Sequence, residues 1–268
     1  MNKFKHSSFT PAPLNQNAQH KLAMQQSMMI YPANALYTFI PKNACSTMRL
    51  SVAYANGCID SENDINWIHG NNQTFRPTLG EAVKADYTFT FLRCPYKRIA
   101  SVFLDKFVRK EPESWLYRDR LARNVELDDL TFSDFVHSLK KPGILRHNIH
   151  WRPQIDFLLY ENYSRYFCLE KFSEAQDTLN SEIGFTMLDA RSLTKHGLDQ
   201  YEALDTGYFG DVCSFELSIM KRNGKCPTYA SMYNENLFQT VTNLYKDDIE
   251  FYRAKFGNSG ILKFDSNQ

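Results

Sequence analysis

No stretch of this 268-residue chain is apolar for long enough to cross a bilayer as a helix. The opening residues Met1-Asn2-Lys3-Phe4-Lys5-His6-Ser7-Ser8 lack the apolar core of a secretory signal, so a cytosolic protein is expected. A charge excess is missing too: Lys+Arg 31 against Asp+Glu 30 leaves +1. That balance gives no basic field to draw the chain to nucleic acid or anionic membranes, so any anion site must be local. The six cysteines form no C-x-x-C pair, and free thiols are expected in a cytosolic chain. No H-x-x-x-H or D-x-D cluster stands at metal-ligand spacing, so no metal is expected. Internal repeats are absent. So is the G-x-x-x-x-G-K-[ST] loop, which disfavours an ordinary ATPase or GTPase.

What the chain does have is a short apolar strand, Leu36-Tyr37-Thr38-Phe39-Ile40, running into Pro41-Lys42-Asn43-Ala44-Cys45-Ser46-Thr47. Small residues let backbone N–H groups approach an anion, and the following helix aims its unpaired amides and positive dipole end at the same point. Lys42 adds a full charge. A thiol at that helix start invites a cysteine-phosphatase reading for Cys45, but such a loop needs C-x5-R and the chain has Ser51 there. Small-residue packing is the expectation for Cys45.

A second strand, residues 87–92, runs into Arg93-Cys94-Pro95-Tyr96-Lys97-Arg98, where Pro95 suits the first turn of a helix. Arg93 leaves the strand end, where ligands collect in an open α/β sheet. Ser101 lies one turn beyond Arg98 on the same helix face. Two strand-to-helix anion turns in adjacent α/β units suit a ligand with two separated phosphates.

These residues carry a resemblance. The first loop resembles the 5′-phosphosulfate loop of the carbohydrate sulfotransferases, the Golgi membrane-type family that includes chondroitin and dermatan 4-O- and uronosyl 2-O-sulfotransferases. Arg93-Cys94-Pro95 with Ser101 resembles their 3′-phosphate motif. His150-Trp151-Arg152-Pro153-Gln154, the strand at residues 166–172 with its acidic helix, and the helix at 233–248 are similar to family segments in the same order. Cys94 stands where the family often has aspartate or histidine. No membrane anchor of the kind the Golgi members carry is expected.

The resemblance implies a P-loop-like α/β fold with a central parallel sheet flanked by helices. It implies sulfuryl transfer from 3′-phosphoadenosine 5′-phosphosulfate (PAPS) to an acceptor hydroxyl, on a carbohydrate, without a metal. Lys42 is expected to stabilise the leaving oxygen, with the amides of Asn43, Ala44, Cys45, Ser46 and Thr47 and the hydroxyls of Ser46 and Thr47 on the 5′ end. Arg93 and Ser101 are expected on the 3′-phosphate. His69, in a histidine-glycine pair like that of the uronosyl enzymes, and His150 compete as general base. A carboxylate is a third possibility. His6, His20, His137, His147 and His196 are read as surface or packing residues. Two other classes stay open: a small-molecule kinase using the same loop for ATP, and a non-catalytic sensor of adenosine 3′,5′-bisphosphate.

Residues 1–34 read as a tail or irregular arm, 35–260 as a single domain, and 261–268 as a C-terminal tail. Residues 111–150 form a helical insertion, either an acceptor lid or simple packing. Trp67, Trp115, Tyr117 and Trp151 are candidates to stack on sugar rings, or core. Helical spacing of Leu237, Val241, Leu244, Tyr245, Ile249 and Tyr252 predicts one long helix over 235–256.

Overall fold

A computed structural model describes residues 1–7, 13–71, 73–121, 125–188, 190, 198 and 200–264. The chain divides into two compact units, Met1–Arg93 with Gln154–Thr194 and Cys94–Pro153 with Lys195–Gln268.

The first unit is built on a mostly parallel sheet of β1 (Ser27–Ile30), β2 (Ala35–Thr38), β3 (Tyr87–Leu92) and β4 (Arg165–Cys168), in that spatial order. β1 is antiparallel to β2, with Ser27 opposite Thr38. β2 runs parallel to β3 and β3 to β4, with Thr38 opposite Thr90 and Leu92 opposite Cys168. The carboxyl ends of β2 and β3 therefore emerge side by side, and each is followed by one of the two turns singled out in the sequence. Helices Cys45–Ala55 and Phe172–Ile183 flank the sheet.

Alternation along β3 explains why both sheet faces are buried. Phe89 and Phe91 point to one face, where Phe89 stacks on Tyr37 at 5.3 Å and Phe91 meets Phe167 at 5.3 Å. Burial of each such ring is worth about 1.5–3 kcal/mol. Thr88 and Thr90 take the other face, where Thr90 Oγ1 donates to the Thr38 carbonyl at 2.9 Å and Tyr163 Oη to Thr38 Oγ1 at 2.8 Å. These hydroxyls are satisfied inside, so the polar face is buried without an unpaired group at Thr38 or Thr90.

The segment expected as an irregular arm, 1–34, contains helix Ala18–Gln25 and the edge strand β1. Met28, Met29 and Ile30 are buried there, and that apolar run is reason enough for the chain to join the sheet. Phe4 bridges to Tyr160 and stacks on it at 5.7 Å.

The second unit has an aromatic core. Helix Pro95–Val102 passes into a π-helical turn, Phe103–Phe107, and Phe103, Phe107, Tyr117, Phe132, Phe135 and Trp151 pack together with centroids 4.6–6.0 Å apart. Helices Pro112–Arg120 and Phe132–Ser138 of the expected insertion supply part of it. A small parallel pair, Glu202–Leu204 with Lys225–Pro227, completes the strands among the described residues. The long C-terminal helix of the sequence reading is two, Glu235–Leu244 and Lys246–Phe256. The break falls at Tyr245, whose hydroxyl donates to the Trp151 carbonyl at 2.5 Å. Residues 265–268 of the expected C-terminal tail lie outside the described residues.

His6 and His20 are buried in the first unit at 7% and 4% exposure, and His6 Nε2 and His20 Nδ1 have no hydrogen-bond partner among the described residues. Burial pushes both imidazoles below the usual histidine range; Lys5 and His20 lower His6 further, and Asp156 opposes. A folded-state histidine pKa below the unfolded value costs nothing above about pH 6.5 and destabilises increasingly as pH falls below it. Urea unfolding should therefore show lower stability at pH 5.5 than at pH 7.5, and His6→Gln/His20→Gln should narrow that difference. An unchanged pH slope in the double variant would contradict the assignment.

Candidate functional site

The loop after β2 is shaped by its backbone. Lys42 and Ala44 both adopt positive φ, 72° and 57°, although neither is glycine. A left-handed residue with a side chain costs about 1–2 kcal/mol. Such strain persists where the surroundings impose it, and it gathers at ligand sites. Ala44 is the N-cap of helix Cys45–Ala55 and offers no side-chain oxygen to cap it. The first helical amides have no intrahelical acceptor. Left-handed residues at the head of an uncapped helix turn successive N–H groups inward, which is the geometry of an anion nest.

Asn43, between the two strained residues, faces the protein. It is fully buried, its amide donates to the Ile40 carbonyl at 3.1 Å, and its Nδ2 donates to the Phe91 carbonyl at 2.8 Å and to Gln154 Oε1 at 2.7 Å. Of the expected cradle, Asn43 thus holds the loop from behind, while Ala44, Cys45 and Ser46 are half-buried and Thr47 is buried at the helix start. Lys42 is half-buried. Arg93, at the end of β3, donates from Nη1 to the Lys42 carbonyl at 2.9 Å. Lys42 and Arg93, read from two separate motifs, are therefore brought together in the first unit.

His69 belongs to the same unit. It is exposed on the one-turn helix Trp67–Gly70, which packs on Cys45–Ala55. His150 lies in the second unit. Its Nδ1 is 2.9 Å from Asn148 Oδ1, an oxygen that also accepts from the His150 amide, and its Nε2 is 3.4 Å from Glu113 Oε1. Lys106 shares that carboxylate at 3.2 Å. Both ring nitrogens of His150 thus face oxygen atoms within its own unit.

Ser101, also in the second unit, is buried and donates to the Arg98 carbonyl at 2.7 Å. Arg98 is buried as well, with Nη1 on the Arg152 carbonyl at 2.9 Å. Cys94 is fully buried and its sulfur accepts from the Leu262 amide at 3.2 Å, so the departure at this position serves packing within its unit. Tyr117 and Trp151 are core, and Trp151 Nε1 is spent on the Ile144 carbonyl at 2.9 Å. Trp115 is 43% exposed under the Arg118 guanidinium, and Trp67 is half-buried against Phe75. His196 lies outside the described residues. Among the described residues no cluster of side chains is suited to a metal, and no helix is long and apolar enough to cross a membrane.

Sequence reasoning passed over Gln154. The His-Trp-x-Pro-Gln segment drew attention to its histidine, while its glutamine is the residue that meets Asn43 and Arg93. Nothing local in the sequence marks that glutamine, because its partners lie 111 and 61 positions away.

If positive φ at Ala44 is imposed by the site, Ala44→Gly should stabilise the ligand-free protein by about 1 kcal/mol, since glycine adopts this conformation freely and caps a helix better than alanine. Denaturant unfolding measures this. A loss of stability would contradict the strained-loop geometry.

Residues 26–253 match the model of the sulfotransferase family. No curated protein and no solved structure matches the chain. With the family match spanning most of its length, the chain belongs to the sulfotransferase family.

Proposed function

We propose that this protein transfers a sulfuryl group from PAPS to a hydroxyl of a carbohydrate acceptor. The observation that carries the reading is the pair of left-handed residues, Lys42 and Ala44, at the head of an uncapped helix in a chain of this family. Orphan amides and a lysine suit the doubly charged 5′ end of the donor, and the Arg93 fork suits a second phosphate. Ser101 is assigned to that phosphate on the sequence motif alone.

When bound, PAPS supplies the activated sulfuryl group. The sulfur–oxygen bond to the 5′-phosphate breaks as the acceptor oxygen bonds to sulfur, and the acceptor proton must leave. Lys42 and the amides of Ala44 to Thr47 hold the charge that grows on the bridging oxygen. Fixed donors of this kind stabilise a transition state without reorganising. His69 is the base in this reading, because it is exposed in the unit that carries the loop.

Adenosine 3′,5′-bisphosphate at a hundred times its dissociation constant should stabilise the fold by roughly 2.7 kcal/mol. ATP, which lacks a 3′-phosphate, should do less in the same thermal-shift titration; equal shifts would favour the kinase reading. Lys42→Ala should lower turnover by about 10²-fold or more, whereas Arg93→Ala should chiefly weaken donor binding. Normal turnover with only a raised donor KM in Lys42→Ala would remove the lysine from the chemical step. His69→Ala should slow single-turnover transfer by roughly 10²- to 10⁴-fold and leave bisphosphate affinity nearly intact. Transfer at the parent rate would exclude His69 as the base.

A further inference from the structure

The side-chain amide of Gln154 is 2% exposed and engages both phosphate turns of the first unit. Its Oε1 accepts from Asn43 Nδ2 at 2.7 Å and from the Arg93 amide at 3.0 Å, while its Nε2 donates to the Arg93 carbonyl at 2.9 Å. The two donations to Oε1 settle which end of the amide is oxygen. Arg93 thus pairs both its peptide groups with one side chain, as a strand residue would with a neighbouring strand, just past the last ladder pair at Leu92. Asn43 ties the same amide to the strained loop and, through the Phe91 carbonyl, to β3. The Arg93 guanidinium returns to the loop at the Lys42 carbonyl, closing a ring of hydrogen bonds around the two turns.

A ring of this kind has an energetic consequence. Each turn alone would need ordering by its own phosphate, whereas turns joined through one buried amide share that cost. Ordering by the first phosphate then favours the second, which is positive coupling without any change of shape. We propose that Gln154 is a positioning residue that couples the 5′-phosphosulfate loop to the Arg93 turn, so that a ligand carrying both phosphates binds more tightly than its two ends would alone. The inference rests on the donor assignment above.

Gln154→Met keeps the length and bulk of the side chain and removes all three hydrogen bonds. Calorimetry with adenosine 3′,5′-bisphosphate, adenosine 5′-monophosphate and adenosine 3′-monophosphate should show a bisphosphate affinity lower by roughly tenfold or more, the usual scale of such coupling. The affinity for each monophosphate should change little. An unchanged ratio of bisphosphate to monophosphate affinity would overturn the coupling, because a purely structural role weakens all three ligands alike. Should Gln154→Met fail to fold, Gln154→Glu, which loses the donor to the Arg93 carbonyl, carries the same comparison.

A second readout needs no ligand. Amide hydrogen exchange in Gln154→Met should quicken at Arg93 and Asn43, whose amides are hydrogen-bonded in the parent, and stay at the parent rate in β1 and β2. Uniform quickening, or none, would overturn the proposal. If the parent protein binds no bisphosphate but exchange quickens locally, the donor assignment falls and the link between the turns stands.

Discussion

Two residues with side chains, Lys42 and Ala44, are held in a backbone conformation that each would otherwise leave, and the buried amide of Asn43 between them is what holds them. Its Nδ2 hydrogen bonds reach the end of β3 and Gln154, so the loop after β2 cannot relax without uncovering polar groups in the core. Leaving one such group unpaired costs about 1–3 kcal/mol, the same order as the strain it balances. Everything assigned to the site follows from that balance. The helix Cys45–Ala55 starts uncapped because Ala44 has no side-chain oxygen to offer, and the Lys42 backbone is tied to the end of β3 by the Arg93 guanidinium on its carbonyl.

The sheet makes this arrangement possible at low cost. Parallel pairing of β2 with β3 brings their carboxyl ends together, and ligands in open α/β sheets gather outside those ends. The aromatic face of β3 is buried against Tyr37 and Phe167, and its threonine face is closed by hydroxyl hydrogen bonds. Neither face leaves β3 room to slide, since a slip of one residue would exchange rings for hydroxyls. The second unit contributes a separate aromatic core around Trp151, and there His150 is occupied by Glu113 and Asn148.

β2 and β3 were legible in the sequence because short apolar runs end in turns with distinctive chemistry. So was the start of helix Pro95–Val102, marked by proline at its first position. β1 was not, because an edge strand of four residues between polar segments has too short a pattern to separate from an irregular arm. The break at Tyr245 was hidden for a different reason: apolar spacing continues through it, and a hydrogen bond to Trp151, far away in sequence, accompanies it. At the site, Lys42 and Arg93 could be named from motifs. The inward turn of Asn43 and the role of Gln154 could not, since the bond between them joins residues 111 positions apart and leaves no local signal.

We propose that this strained loop serves sulfuryl transfer and not another phosphate chemistry. Mass spectrometry with isotopically labelled PAPS and a panel of glycans and small phenols tests it most directly. Labelled sulfate is expected on a glycan hydroxyl, formed only with enzyme and donor together. Transfer of phosphate from ATP to the same panel, with no sulfate transferred from PAPS, would contradict it.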